Sequence, residues 1–343
     1  MSLFNNKTTI SMEFGADEVK VVEGRFNKKN IIVSKCFTIP VPDGLYEDGV
    51  IKDMEKFSYL LQKELSDKDV SHGEAYVVIN SSSIIIREIS IPKVEGKQIA
   101  SILKYQLDEY FPVDPEGYVV QYIPLNVVEE EGVEIQNVML VGVPKFMVET
   151  HYNLLQNLGL KPVALDYAGN AISKLIRLND SINGLYDKNI TIACVGLEQK
   201  STALNITNKS LISISRVVKE EISPTINDSP LVSFDEPYEQ DVAIASDQDV
   251  AVASDIRAKL AVLLDKIDMV FRYYNSRETD NKIELVLIYG NYSHISGIEE
   301  IMSSYFDVPC VKLISLDKVK FYGDLAIYAN AIGTLIRANG GKQ

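Results

Sequence analysis

Apolar residues, many of them β-branched, open the chain in three short runs, TTISMEF, VKVVEGRF and NIIVSKCFTIPV. A turn bearing Gly15 separates the first two, and Asn27-Lys28-Lys29-Asn30 separates the next two, so the pattern predicts a three-stranded meander. After the Pro- and Gly-rich loop PVPDGLYEDG the period lengthens. Phe57, Leu60, Leu61 and Leu65 share one face of a helix over about 53–65, and a strand over 75–79 follows.

The middle of the chain differs in texture. SSSIIIREISIP predicts a strand ending at Pro92, and Ile99, Ile102, Leu103, Leu107 and Tyr110 recur at helical spacing up to Phe111-Pro112, where proline disfavours further helix. GYVVQYIPLNVV and EIQNVMLVGV flank the acidic turn Glu129-Glu130-Glu131-Gly132 and predict a hairpin. The helix KFMVETHYNLLQNLGL closes at Gly159, and strand PVALDYA leads into helix AGNAISKLIRL. A second meander, NITIACVGLEQKSTALNITNKSLISISRVV, then repeats the layout of the first, with Val195-Gly196 at its first turn where Phe14-Gly15 stands earlier. A duplication of this size implies two related halves with a cleft between them.

Beyond Lys219 the pattern breaks. Residues 221–255 hold nine carboxylates and no Lys or Arg, and QDVAIASD is followed at once by QDVAVASD, which reads as an exposed mobile insertion. A long helix over about 255–277, strand ELVLIYG, a helix over 297–305, strand PCVKLI and the closing helix LAIYANAIGTLIRA complete the chain.

Composition narrows the function classes. At 343 residues the chain exceeds one ordinary core, and a net charge of −14 with scattered basic residues argues against nucleic acid and against direct contact with an anionic membrane. No apolar run reaches the roughly 20 residues of a spanning helix, and the start MSLFNNKTTIS lacks the pattern of a secretory signal, so a cytoplasmic location is expected. Cys36, Cys194 and Cys310 stand far apart with no CxxC pair, which argues against a zinc site or a disulfide framework. His72, His151 and His294 form no catalytic pattern.

Several segments carry a resemblance. SSSIIIREISIP, LKYQLDEYFPVDPEGYVVQY, LQNLGLKPVALDYAGNA and ANAIGTLIRA resemble in turn the R-x-I-x-x-P strand, the E-A-x-x-Y-I-P-F-P helix end, the A-G-L-x-P-x-x-x-D segment and the A-x-G-L-A-x-R helix of the PilM family, which is similar to the division protein FtsA. The resemblance runs nearly end to end. It implies an α/β, actin-like (ribonuclease-H-like) fold of two duplicated halves with an inserted small α+β module. On this frame 8–80, 143–187 and 322–343 form the first subdomain, 81–142 the module, and 188–321 the second half with its acidic insertion. It further implies a cytoplasmic scaffold of type IV pilus assembly that grips the N-terminal tail of the membrane protein PilN and meets motor proteins. Membrane attachment would then come only through a partner, with oligomers left open. Arg87, Ile91, Pro92, Tyr105, Tyr110, Phe111 and Pro112 lie on the segments matching the family's gripping module. The apolar ones fit ordinary core equally well, whereas Arg87 at the end of an Ile-rich strand should have a carboxylate or carbonyl partner.

The same resemblance places ATP between the halves, held by Glu13, Gly15, Ala16 and Lys20 of the first hairpin, Gly196 and Thr202 of the second, and Gly290 and Gly297 of the adenosine turn. Four departures fall there. Asp17 and Glu18 replace small polar residues; pointing inward they would repel phosphate by about 4 kcal/mol per charge pair at 4 Å, though solvated turn carboxylates are the commoner arrangement. Cys194 takes the place of an acid and reads as a buried structural thiol, Tyr289 replaces one glycine of a pair, and Lys219-Glu220-Glu221 replaces a small-residue turn. The sequence therefore reads as a non-enzymatic scaffold that requires no cofactor, with a degenerate cleft. The alternative is a member that binds ATP with Mg²⁺ and whose nucleotide state controls its grip.

Overall fold

The computed structural model describes residues 8–70, 72–94, 96–111, 114–222 and 247–336. The opening meander is β1 (Thr9–Phe14), β2 (Glu18–Phe26) and β3 (Ile31–Pro40), antiparallel throughout. Helix α1 (Met54–Asp67) follows, begun by the Asp53 carboxylate accepting from Lys56 N–H, and buries Phe57, Leu61 and Leu65. Strand β4 (Glu74–Ile79) then lies parallel to β1. The middle of the chain supplies β5 (Ile85–Pro92), α2 (Gly96–Tyr110), β6 (Tyr118–Glu130), β7 (Val133–Pro144), α3 (Lys145–Asn157), β8 (Lys161–Tyr167) and α4 (Ala168–Leu178). The remainder supplies β9 (Ile192–Leu197), β10 (Thr202–Asn208), β11 (Leu211–Val218), α5 (Asp247–Arg277), β12 (Leu285–Tyr289), α6 (Ile298–Phe306), β13 (Cys310–Lys312), β14 (Val319–Lys320) and α7 (Leu325–Thr334).

These strands form two large sheets built on one plan. The first runs β8-β4-β1-β2-β3-β14 and the second β11-β10-β9-β12-β13, each a meander whose first strand also pairs with a later parallel strand. β1 and β9 are buried along their whole length because both faces of each sheet are covered. Ile10, Met12 and Phe14 enter the first core, while Ala193, Val195 and Leu197 enter a separate core with α5 and α6. Between the sheets, α4 and α7 share a third core with Val22, Ile31, Ile192 and Cys194, which joins the two halves.

The small sheet, β5-β7-β6, has both faces occupied. Ile89, Ile91, Val138 and Leu140 meet Ile99 and Leu103 of α2, and the alternate residues Met139, Val141 and Val143 join the first core. Its hairpin turns at Glu131 (φ 50°) and Gly132 (φ 78°), the left-handed pair that a tight turn between twisted strands requires. Phe111 closes the end of this layer by packing against Gly142, where a Cβ would come within 2.4 Å of the ring.

One expectation about the chain's path needs correction. The acidic insertion was to stay irregular to residue 255, but α5 begins at Asp247, so the second octad is helical. Its alanines favour helix and run straight into the apolar stripe of Leu260, Leu263, Leu264 and Ile267. Residues 223–246 lie outside the described residues.

Candidate functional site

A cleft opens between the hairpin loop at 15–18 and that at 198–201. The two loops have the same length and the same closing bond, Gly15 N–H donating to Glu18 O at 2.9 Å and Glu198 N–H to Ser201 O at 3.1 Å. This register corrects the alignment read from sequence. Phe14 pairs with Val19 and Leu197 with Thr202, so Gly196 lies within β9 at the level of Glu13 and Glu198 occupies the position of Gly15. The second hairpin therefore does bring an acid to the cleft. The displaced candidate, Cys194, is wholly enclosed in the shared core, where burial pushes its thiol far up.

Glu198 meets Lys20. The lysine projects from β2 and is 3% exposed, with Nζ 2.6 Å from Glu198 Oε1 and 3.8 Å from Glu18 Oε1. Burial works to lower its pKa, yet Glu198, Glu13 and Glu18 together raise it well above the ordinary lysine value. Burial also pushes the Glu198 carboxyl up to about 8, against the pull of Lys20. Glu18 accepts a 2.6 Å hydrogen bond from Asn291 Nδ2, and Glu13 Oε1 a 2.7 Å one from Asn330 Nδ2. Burial raises Asp17 and Glu18 above the usual carboxylate range. Both carboxylates thus belong to the cleft, contrary to the outward, solvated arrangement expected of a surface turn.

The loop at 42–49 forms the cleft's rim. Asp43 pairs with Lys200, and Asp48 pairs with Lys219 at 2.7 Å while accepting from Ser82 N–H at 2.8 Å and Ser82 Oγ at 2.7 Å. One left-handed aspartate (φ 48°) therefore touches the second half and the start of the small sheet at once. Behind it, His151 Nδ1 donates to Met147 O at 2.7 Å, so Nε2 accepts from the Tyr46 hydroxyl at 3.1 Å. Burial lowers this histidine to about 4, which leaves it neutral and structural.

Of the residues expected to hold a nucleotide, Glu13, Gly15, Ala16, Lys20 and Gly196 line the cleft. Thr202 is buried at the start of β10, and Gly290 and Gly297 are not among the lining residues either. Gly290 (φ 89°) donates to Ala326 O at 2.9 Å, and Gly297 (φ 75°) caps α6. Tyr289 is enclosed at 1% exposure with its ring over Gly196, where a Cβ would fall 2.5 Å from the ring's Cζ. Glu198, Asn291 and Asn330 were missed as site residues because each becomes one only through a contact distant in sequence.

The residues expected to grip a partner divide differently. Ile91 is buried in the core that the small sheet forms with α2, and Phe111 is buried against Gly142, the ordinary-core alternative for both. Pro92 is exposed and Tyr110 half-buried against the α2 core. Arg87 is also exposed, so the partner expected for a buried cation is not needed. Its neighbour Glu88 instead pairs with Arg277 of α5 at 2.9 Å. The side chain of Tyr105 and the whole of Pro112 lie outside the described residues. Two grooves run beside the small sheet: one passes Ile84, Ile86, Asn205, Ser215 and Arg216, the other Ile123, Leu125, Leu211, Ile212, Lys174 and Arg177. Period-two alternation gave no hint that these residues face a neighbouring layer and not solvent.

The chain has no significant match among curated protein sequences. Among solved structures it is similar to a PilM–PilN type IV pilus biogenesis complex, with a TM-score of 0.75 and 17% identity over 95% of this chain and 97% of that one. It is also similar to the ethanolamine utilization protein EutJ from Carboxydothermus hydrogenoformans, with a TM-score of 0.51 and 9% identity over 96% of this chain and 89% of that one. At such identities the likeness establishes the fold, which is actin-like. The family model described as type IV pilus assembly protein PilM matches residues 11–322, nearly the whole length, and the chain belongs to that family.

Proposed function

We propose that the protein is a non-enzymatic scaffold of type IV pilus assembly that holds an extended segment of a PilN-like protein's tail beside its small sheet and links it to the assembly motor. The observation that carries this reading is the groove between the small sheet and the body. Ile123, Leu125, Leu211 and Ile212 supply apolar contact, and Arg177, exposed at the groove's edge, supplies donors for a peptide backbone, whereas Asn170, Ser173 and Lys174 are engaged by Asp166, Gly169 and Ile336. The solved complex to which the fold is similar contains a PilN chain, which favours a peptide as the occupant. No helix among the described residues is long and apolar enough to cross a membrane, consistent with attachment through the partner. In this reading 81–142 acts as the gripping module, and 8–80, 143–187 and 322–343 form the subdomain it leans on.

Titrating a synthetic PilN tail peptide against the protein tests the proposal. Ile123→Glu, at a half-buried position, should weaken binding at least tenfold while leaving the unfolding midpoint within a few degrees. Equal affinity of variant and parent would move the peptide elsewhere.

The cleft supports a scaffold that works without nucleotide. Lys20 is already engaged by Glu198, and Glu13, Asp17 and Glu18 stand beside it, so a triphosphate would meet more carboxylate than ammonium. Tyr289 is enclosed in the shared core and does not line the cleft, so the crowding of a nucleotide expected of it does not arise and the charges alone oppose one. These residues do not fit ATP. Thermal unfolding with millimolar Mg²⁺-ATP should accordingly show no shift. A ligand at a hundred times its dissociation constant would add about 2.7 kcal/mol, a rise of several degrees that would favour the nucleotide-gated alternative.

A further inference from the structure

We propose that Glu88 and Arg277 are positioning residues for tail binding: they form a clasp that seats the small sheet on the second half and so sets the groove at the sheet's opposite edge. The inference rests on the tail-binding reading above. The groove is assembled from separate parts, Ile123 and Leu125 from β6, Leu211 and Ile212 from β11, and Arg177 from α4. β6 belongs to the small sheet and β11 to the second large one, so the seating of one sheet on the other decides the groove's width. Ionic ties between them lie on the side of β5. Glu88 Oε2 stands 2.9 Å from a guanidinium nitrogen of Arg277, the last residue of α5, which packs into the core of the second sheet. Just before the same strand, Ser82 is held by Asp48, which pairs with Lys219 at 2.7 Å. Strand register connects this edge to the groove. Glu88 lies opposite Met139 of β7, and Met139 lies opposite Ile123 of β6. Directly opposed residues share a face, so the three side chains form one row across the sheet, about 10 Å long at the usual strand spacing. Met139 is buried in the first core and anchors the middle of the row. The clasp holds one end, and the other end is the groove wall. Without the clasp the sheet is free to tilt on Met139, and Ile123 moves with it. The pair is partly exposed, so its loss should alter this seating without unfolding the protein.

The test is a charge swap on the full chain with two readings: affinity for a synthetic PilN tail peptide, and hydrogen exchange of the β5 and β11 amides without peptide. Glu88→Arg and Arg277→Glu should each weaken peptide binding about fivefold and speed that exchange. The double swap, which restores the pair with its charges exchanged, should return both readings to within about twofold of the parent. Glu88→Gln removes the charge at nearly constant shape and provides the test if a reversal fails to fold. Unchanged affinity in the single variants, or losses that add in the double variant, would overturn the proposal. So would faster exchange at unchanged affinity, since the pair would then tie the sheet without shaping the groove. A parent chain that binds no tail peptide would be a separate failure, that of the groove reading itself, because the exchange measurement still reports whether the clasp seats the sheet.

Discussion

Lys20→Met should cost about 3–5 kcal/mol of stability at pH 8.5, the loss typical of removing one partner from a buried ion pair. Methionine fills the space of the lysine stem but leaves the half-buried Glu198 without its cation. The cost should shrink towards pH 6. Glu198 sits at about 8 in the fold against an ordinary value of 4.5, so the stability it contributes is complete below 4.5 and is lost as pH rises through 8. Asp17 and Glu18, also raised by burial, act in the same direction. In the variant a neutral Glu198 needs no cation, so acid conditions should spare it. Urea unfolding at the two pH values, with an unchanged m-value, is the measurement. A loss below about 1 kcal/mol at both would mean that the pair behaves as a solvated surface bridge.

A comparable loss, about 3–5 kcal/mol, is expected for Tyr289→Ala, which empties a large volume in the core shared by the two halves. The more telling measurement is its coupling to Gly196. In the parent, Gly196→Ala drives a methyl into the Tyr289 ring and should cost about 1–3 kcal/mol; in the Tyr289→Ala background it should cost little. Such a cycle would show that this glycine serves the tyrosine. Additive losses would mean that it is needed for the backbone alone, and its φ lies outside the left-handed region, where alanine is not strained.

The cleft illustrates why parts of the site could be read in advance and parts could not. Gly15, Lys20 and Glu13 fall on a strand–turn–strand pattern whose period is visible in a single stretch of chain. Glu198 was in view within the second turn, but the hairpin's register, which decides whether it or Gly196 sits at the tip, is set by backbone pairing. The orientation of Asp17 and Glu18 was misjudged for a related reason: turn propensity describes a solvated turn, and this one is roofed by Asn291 from more than two hundred residues away. On the partner side, Ile91 and Phe111 carried the apolar signature of either core or groove. Only the covering by α2 and the fit of Phe111 onto Gly142 placed them inside.

What the sequence determined by itself was the plan: two β-meanders each completed by a parallel strand, an inserted hairpin with its helix, and membership of a pilus assembly family written in motifs along the chain. These follow from local periodicity, turn chemistry and short contiguous patterns. What only the tertiary structure decided was the state of the cleft. Lys20 and Glu198 are 178 residues apart, and whether the lysine faces an incoming anion or the protein's own carboxylate depends on how closely two separately folded sheets approach. Burial then sets the charges, because removing those groups from water shifts their proton affinities in a way that no stretch of sequence records.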